Sequence, residues 1–316
     1  MPLGNRINTD SNKPNKPLLS SNKTSLETEN KSIFHSESPK YDFSEIILND
    51  DTYDSIQDML SLYQKRDLIF NEWGLSAMYK QQSRMGINLY GAPGTGKTMA
   101  AHAIAKQIGK MILIVDYSQI ESKFVGETSK NLKSMFEYAR DTDSIIFFDE
   151  ADALLSKRVT DMSNSTDVSV NQTRSVLLTL INEFDGLILF ATNFLSNYDP
   201  AFMRRISKHI KFDLPDEKNR LKLWKLYIPK EMPTDADVNV LAEKYPNVSG
   251  SDISNAVFSA SLKAARKDDP IVKQAYFEDA IAKIIESKLE NAGGTFSKRT
   301  VSEEYVKSQF EGGVLK

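Results

Sequence analysis

The octapeptide GAPGTGKT at residues 91–98 limits what this chain can fold into more than any other stretch. It fits the pattern G-x-x-x-x-G-K-[ST], with the apolar run INLY just before it and the helix-forming run TMAAHAIAKQIG just after it. Gly91, Gly94 and Gly96 let the backbone fold tightly enough for its N–H groups to converge on phosphate oxygens. The start of the following helix adds partial positive charge. Lys97 is expected to reach the β- and γ-phosphates of a nucleotide, and the Thr98 hydroxyl to ligate Mg2+. The stretch predicted to contact nucleotide is Ala92, Pro93, Gly94, Thr95, Gly96, Lys97, Thr98 and Met99. A Gly-rich turn that binds nothing is the bland alternative, and the succession of strand, loop and helix argues against it.

Around this loop short apolar runs alternate with amphipathic helices. The runs are INLYG (87–91), MILIVD (111–116), SIIFFDE (144–150), LILFATN (187–193) and HIKFDL (209–214). Near-continuous apolar strands separated by helices predict a parallel sheet covered on both faces, an α/β three-layer sandwich. Beyond Pro215 the strand signal stops, and segments 216–228, 236–244, 251–267 and 272–289 read as helices. The expected organisation is a disordered arm over 1–40, a nucleotide-binding α/β domain over 41–214, a small all-helical lid over 215–290 and a tail over 291–316. The arm is rich in Asn, Ser, Lys, Thr and Pro and has too few large apolar groups to offset the entropy of ordering. Residues 41–86 read as helical, because DSIQDMLSLYQKRDLIFNEWGL keeps its apolar groups at spacings of 3–4. Trp73 in that run reads as a packing residue, with nucleotide stacking as the alternative.

SIIFFDE ends a buried strand with Asp149 and Glu150, at the carboxyl edge where parallel sheets hold their ligands. Asp149 is the expected Mg2+-associated carboxylate, and Glu150 the expected base that orients and deprotonates an attacking water. Alone, the pair would be an ordinary polar strand end; the phosphate loop on the same sheet gives it a task. Asp152 is expected to cap a helix or contact a neighbour rather than the nucleotide.

Composition removes several function classes. The chain has no cysteine, which excludes disulfides and cysteine-ligated zinc or iron–sulfur centres. His35, His102 and His209 share no metal-ligand spacing, and no HExxH occurs. A formal net charge of −3 argues against a protein that coats DNA or RNA. The N-terminus has no apolar signal core, and no apolar run reaches the ~18 residues a membrane helix needs. The expectation is a soluble protein of the cytoplasm.

GAPGTGKT and IIFFDEAD together resemble the AAA+ superfamily of P-loop NTPases, and further motifs over roughly 45–290 resemble its AAA branch, with a single AAA module. The resemblance implies a Mg·ATP-hydrolysing ring, most often a hexamer. LFATN (189–193) is similar to the sensor strand, which implies that Asn193 positions the lytic water. DPAFMRRI (199–206) is similar to the stretch carrying arginine fingers, which implies that Arg204 or Arg205 reaches the next subunit's active site. KFVGETSKNLKSMFEYAR (123–140) resembles the pore segment, where Lys123, Phe124, Val125 and Gly126 would face a central channel. VSGSDISNAV (248–257) resembles the start of the lid helix, with Gly250 and Ser251 near the base and ribose. RDLIFNEWGL resembles single-domain bacterial AAA proteins.

The pattern also departs from the family. Two arginines three residues apart are common there; here that later position is Lys208 and the basic pair is adjacent, as in the microtubule-severing subgroup. The link after Asp185-Gly186 is very short, and no folded N-terminal recognition domain is expected. The leading functional expectation is a protein-remodelling or unfolding motor working on a polypeptide or adaptor. The alternatives are a nucleic-acid-directed loader, helicase or regulator, for which segment 155–174 offers Lys157, Arg158 and Arg174, and a scaffold that assembles on ATP.

Overall fold

A computed structural model describes residues 34–78, 85–116, 128–156, 165–193 and 198–291. Among these residues five strands form one sheet: β1 Met85–Gly91, β2 Ile112–Asp116, β3 Ile145–Asp149, β4 Leu187–Thr192 and β5 Ile206–Phe212, in the order β2-β3-β4-β1-β5. Every pairing is parallel. The five apolar runs read from sequence are these strands. β5 starts three residues earlier than its run, directly after Arg205, because Ser207 donates from its hydroxyl to Gly86 O at 3.0 Å and extends the pairing with β1.

Side chains alternate across the sheet with the period of two that a pleat dictates. Ile146, Phe148, Ile188 and Phe190 point to one face and pack with helices α3 Thr128–Asp141 and α5 Ser165–Glu183. The rings of Phe148 and Phe190 stack with centroids 5.3 Å apart. Ile87, Leu89, Ile145, Phe147 and Leu189 point to the other face, against α1 Asp50–Gln64 and α2 Lys97–Gln107. Both faces are covered, so the strands can be apolar throughout. In α2, Ala100, Ala101, Ala103 and Ala105 are all buried. Small side chains let this helix sit close to the sheet, which fixes where its N-terminus points.

Short turns α4 Asp152–Leu155 and α6 Pro200–Met203 follow β3 and precede β5. After Phe212 the chain is helical: α7 Glu217–Tyr227, α8 Val238–Lys244, α9 Gly250–Arg266 and α10 Gln274–Asn291. These helices share their own core around Trp224, Ile253, Ala256, Phe277 and Ile281, with Trp224 and Phe277 edge to face. None of the helices described is long and apolar enough to cross a membrane.

Two local readings differ from the structure. Only Asp50–Gln64 of the stretch 41–86 is a regular helix; Leu68–Glu72 is a π turn and Leu75–Ala77 a 3-10 turn. Gly74 between them adopts a positive φ of 74°, which breaks the periodicity. Ahead of α1, residues 46–49 run extended instead. Residues 34–40, read as part of the arm, lie along the free edge of β2. Glu37 and Ile112 exchange backbone hydrogen bonds of 2.9 and 3.0 Å, and Phe34 packs on the core. An apolar ring and a vacant strand edge supplied the two partners that composition alone does not show.

Candidate nucleotide site

Strand order builds the site. The sequence places β1, β3 and β4 far apart, but β4 is inserted between β1 and β3 in the sheet. Register pairs Tyr90 with Thr192 and Phe148 with Phe190, so the carboxyl ends of the three strands are level. The phosphate loop, Asn193 and Asp149 therefore emerge along one edge, with Asn193 between the other two.

The loop owes its shape to its glycines. A Cβ on Gly91, whose φ is 149°, would lie 2.0 Å from Phe212 O. One on Gly94, whose φ is 75°, would lie 2.6 Å from Ser251 Cβ and 2.7 Å from Ser249 Oγ. Gly96 caps α2 at φ 97° and offers no side chain to the first amides of the helix, which are left to face an anion. Thr95 Oγ1 donates to Ala92 O at 2.8 Å and tightens the turn.

Lys97 is buried and its ammonium is fully engaged. It donates to Gly91 O at 2.7 Å, Ala92 O at 3.0 Å and Asn193 Oδ1 at 3.2 Å. Burial pushes its pKa below the usual lysine value, and the charges of Asp149 and Asp152 oppose that shift. A lysine in this state gains strongly from a nearby polyanion. Thr98 Oγ1 donates to Asp149 Oδ2 at 2.9 Å, so a hydroxyl and a carboxylate oxygen stand together as hard ligands suited to Mg2+.

Glu150 is exposed and has φ 52°, a left-handed backbone that costs a non-glycine residue about 1–2 kcal/mol. That bend lets Ala151 N donate to Ala191 O at 2.8 Å, docking the exit of β3 onto β4. Asp152 does not cap α4, whose N-cap is Ala151. Its carboxylate accepts the backbone N–H of Asn193 instead, at 2.9 and 3.1 Å.

A cavity of about 350 Å³ opens beside the loop, a volume within the range of small-molecule sites. Gly94–Met99 form one wall and Gly250, Ser251 and Ser254 at the start of α9 form another. Ser251 N donates to Gly94 O at 3.3 Å, so the lid residues singled out from sequence do meet the loop. The third wall is Ile46, Ile47, Leu48 and Asn49 with Tyr227, which sequence reading missed. The available signal was an apolar triplet directly before the helix start ND. Asn49 is the N-cap of α1 by position, yet its side chain caps nothing there. Its Nδ2 donates to Leu214 O at 3.0 Å and its Oδ1 accepts from Asp216 N at 3.1 Å, fastening the strand-to-helix connection. Trp73, expected to pack, is 65% exposed at the end of its π turn and lines no part of the cavity.

The adjacent arginines differ. Arg205 donates from Nε to Asn182 Oδ1 at 3.1 Å and from Nη1 to Ala201 O at 2.7 Å. Arg204 is exposed, and its guanidinium has no partner among the described residues. Lys208 pairs with Asp58 of α1 at 3.1 Å. Phe184 fills the short link before β4: a Cβ on Gly186 would lie 2.4 Å from its ring. Lys123, Phe124, Val125 and Gly126, and Lys157 and Arg158, lie outside the described residues.

Residues 87–214 match the family model described as ATPase family associated with various cellular activities (AAA). The chain is 32% identical to the proteasome-activating nucleotidase of Methanopyrus kandleri over 265 residues, covering 81% of this chain and 59% of that protein. It is 34% identical over 257 residues to the proteins of that name from Saccharolobus islandicus and Saccharolobus solfataricus, covering 78% of this chain and 63% of each. The chain thus spans about six tenths of the length of these relatives. With the phosphate loop, the acidic strand end and Asn193 on one sheet edge, and with this match across them, the chain belongs to the AAA+ ATPases.

Proposed function

We propose that this protein is an ATP-driven protein-remodelling motor that hydrolyses Mg·ATP at the subunit interfaces of a homo-oligomeric ring, most simply a hexamer. The observation that carries the reading is the convergence of Lys97, Asp149 and Asn193 on one edge beneath the start of α9. Loop amides and Lys97 would bind the β- and γ-phosphates, while the apolar wall of Ile46–Leu48 takes the base. Mg2+ held by Thr98 and Asp149 would supply charge neutralisation at the phosphoryl oxygens. Glu150 accepts the proton of the attacking water, and Asn193 orients that water. The water oxygen bonds to the γ-phosphorus as its bond to the β–γ bridging oxygen breaks, and ADP leaves.

Arg204, exposed at the end of α6, is the finger that would stabilise transition-state charge in the next subunit. Arg205 holds the segment that presents it. Head-to-tail contacts of this kind close into rings when the rotation permits. The α/β part over 41–214 and the helical lid over 215–290 would change their mutual angle with nucleotide state, moving Phe124 and its neighbours Lys123, Val125 and Gly126 along an extended polypeptide. The name of the relatives, proteasome-activating nucleotidase, favours a polypeptide over a nucleic acid as the object of the work. The net charge of −3 points the same way.

Phosphate release and nucleotide binding by wild type and Glu150→Gln test the reading. The variant should bind ATP and lose turnover, and Phe124→Ala should lose stimulation by an unfolded polypeptide such as casein. Normal turnover in Glu150→Gln would remove the base, and undiminished casein stimulation in Phe124→Ala would remove threading.

A further inference from the structure

We propose that Asp152 is a positioning residue for hydrolysis: its carboxylate fixes the backbone of Asn193 and so sets where the Asn193 amide meets Lys97. The inference rests on the reading of Asn193 as the group that orients the lytic water.

Both carboxylate oxygens of Asp152 accept the same N–H, that of Asn193, at 3.1 and 2.9 Å. The hydroxyl of Tyr198 also donates to the Oδ1 of Asp152, at 3.5 Å. Tyr198 is buried, and burial raises its phenol to about 12, so it remains a neutral donor at working pH. Asn193 and Tyr198 bracket the residues between β4 and α6, and both are tied to α4. Ser156 bridges to Tyr198, and Asp199 N donates to Leu155 O at 2.9 Å. The turn beginning at Asp152 is therefore a template for both flanks of this connection.

The consequence lies at the other end of Asn193. Its Oδ1 accepts from Lys97 Nζ at 3.2 Å, which leaves the amide nitrogen as the donor for water or a phosphoryl oxygen. Its backbone is the pivot of that side chain. An acceptor as strong as a carboxylate on the pivot's N–H holds it more firmly than a neutral group would. Small displacements of a positioning group cost large factors: an error of about 1 Å lowers a rate by about 100-fold. A residue that merely stabilised the fold would not act through Asn193 in particular.

The experiment is a double-mutant cycle on the full chain, reading kcat and KM for ATP, affinity for a fluorescent ATP analogue, and Tm. Asp152→Ala should lower kcat by about 10–100-fold while KM and analogue affinity change less than about twofold. Asp152→Asn, which keeps one acceptor oxygen, should recover most of the rate. Asn193→Ala should be slow, and Asp152→Ala/Asn193→Ala no slower. If Asp152→Ala does not fold, Asp152→Glu carries the cycle, because it keeps the charge but displaces the anchor. Full kcat in the Asp152 variants beside a slow Asn193→Ala would overturn the inference alone, as would losses that multiply. Full kcat in Asn193→Ala would overturn the reading of Asn193 and the inference with it.

Discussion

Lys97 Nζ donates to Asn193 Oδ1 across 3.2 Å, joining the first residue of α2 to the residue that follows β4. The two are 96 residues apart in sequence, and the placement of β4 between β1 and the acidic strand β3 brings them together. One ammonium thus holds the loop carbonyls and the Asn193 amide at once. ATP binding would exchange these neutral acceptors for phosphoryl oxygens, which hold a buried ammonium better.

Lys97→Ala should consequently abolish tight ATP binding while leaving the sheet intact. A fluorescent-nucleotide titration should show affinity falling by at least about 100-fold, the equivalent of two charge-assisted hydrogen bonds. Unchanged affinity would show that the loop amides alone carry the binding.

Arg204 and Arg205 should separate cleanly. Arg205→Ala removes bonds to Asn182 and Ala201 and should destabilise by about 1–3 kcal/mol in urea. Arg204→Ala should leave stability within about 0.5 kcal/mol. Its turnover should fall by about 1,000-fold or more, as expected for an arginine finger. Mixing Arg204→Ala with Lys97→Ala subunits should restore activity, because each then supplies what the other lacks. No recovery in mixed rings would mean that Arg204 acts within its own subunit.

That Arg205 is bonded and Arg204 exposed was not legible in the sequence, where the two stand side by side. It depends on Asn182 of α5, a contact across more than twenty positions that no local pattern encodes. The sheet was legible because inner strands such as β3 and β4 are buried on both faces and so nearly apolar throughout, while the edge strand β5, with Lys208 and Lys211, still shows as the short run HIKFDL. The phosphate loop was legible because its glycines answer a local backbone demand. The Ile46–Asn49 wall was hidden for the opposite reason. Three apolar residues ahead of a helix look like more helix, and only the cavity they line says otherwise. Trp73 was misjudged because a bulky aromatic usually seeks the core, whereas a π turn and Gly74 carry it outward.

Asn49 should report on the connection between sheet and lid. Asn49→Ala leaves Leu214 O and Asp216 N without their side-chain partner and should destabilise by about 1–2 kcal/mol. Because Asn49 also lines the cavity, ATP affinity should fall alongside. Urea denaturation and nucleotide titration read the two effects. Retained stability in Asn49→Ala would mean that water replaces both bonds at no cost.

Acidification should loosen the packing of residues 34–41 on α2 through His102. The imidazole is buried, Tyr41 meets it edge to face at 5.7 Å, and Lys40 N donates to its Nδ1 at 3.4 Å. An Nδ1 that accepts must be unprotonated, so a second ring proton would confront an N–H donor. Burial lowers the pKa below 6.5, with Lys40 assisting and the carboxylates of Glu37 and Asp149 opposing. The folded state therefore binds this proton less readily than the unfolded chain does. The contribution to stability is complete above pH 6.5 and is lost as pH falls toward the folded-state pKa. His209, whose pKa burial also lowers, contributes with the same sign. His102→Gln should be less stable than wild type at neutral pH, but its Tm should fall less steeply between pH 6.5 and about pH 5. The two Tm curves should converge on acidification. Parallel curves across that window would mean that His102 takes up its proton in the fold as readily as in the unfolded chain.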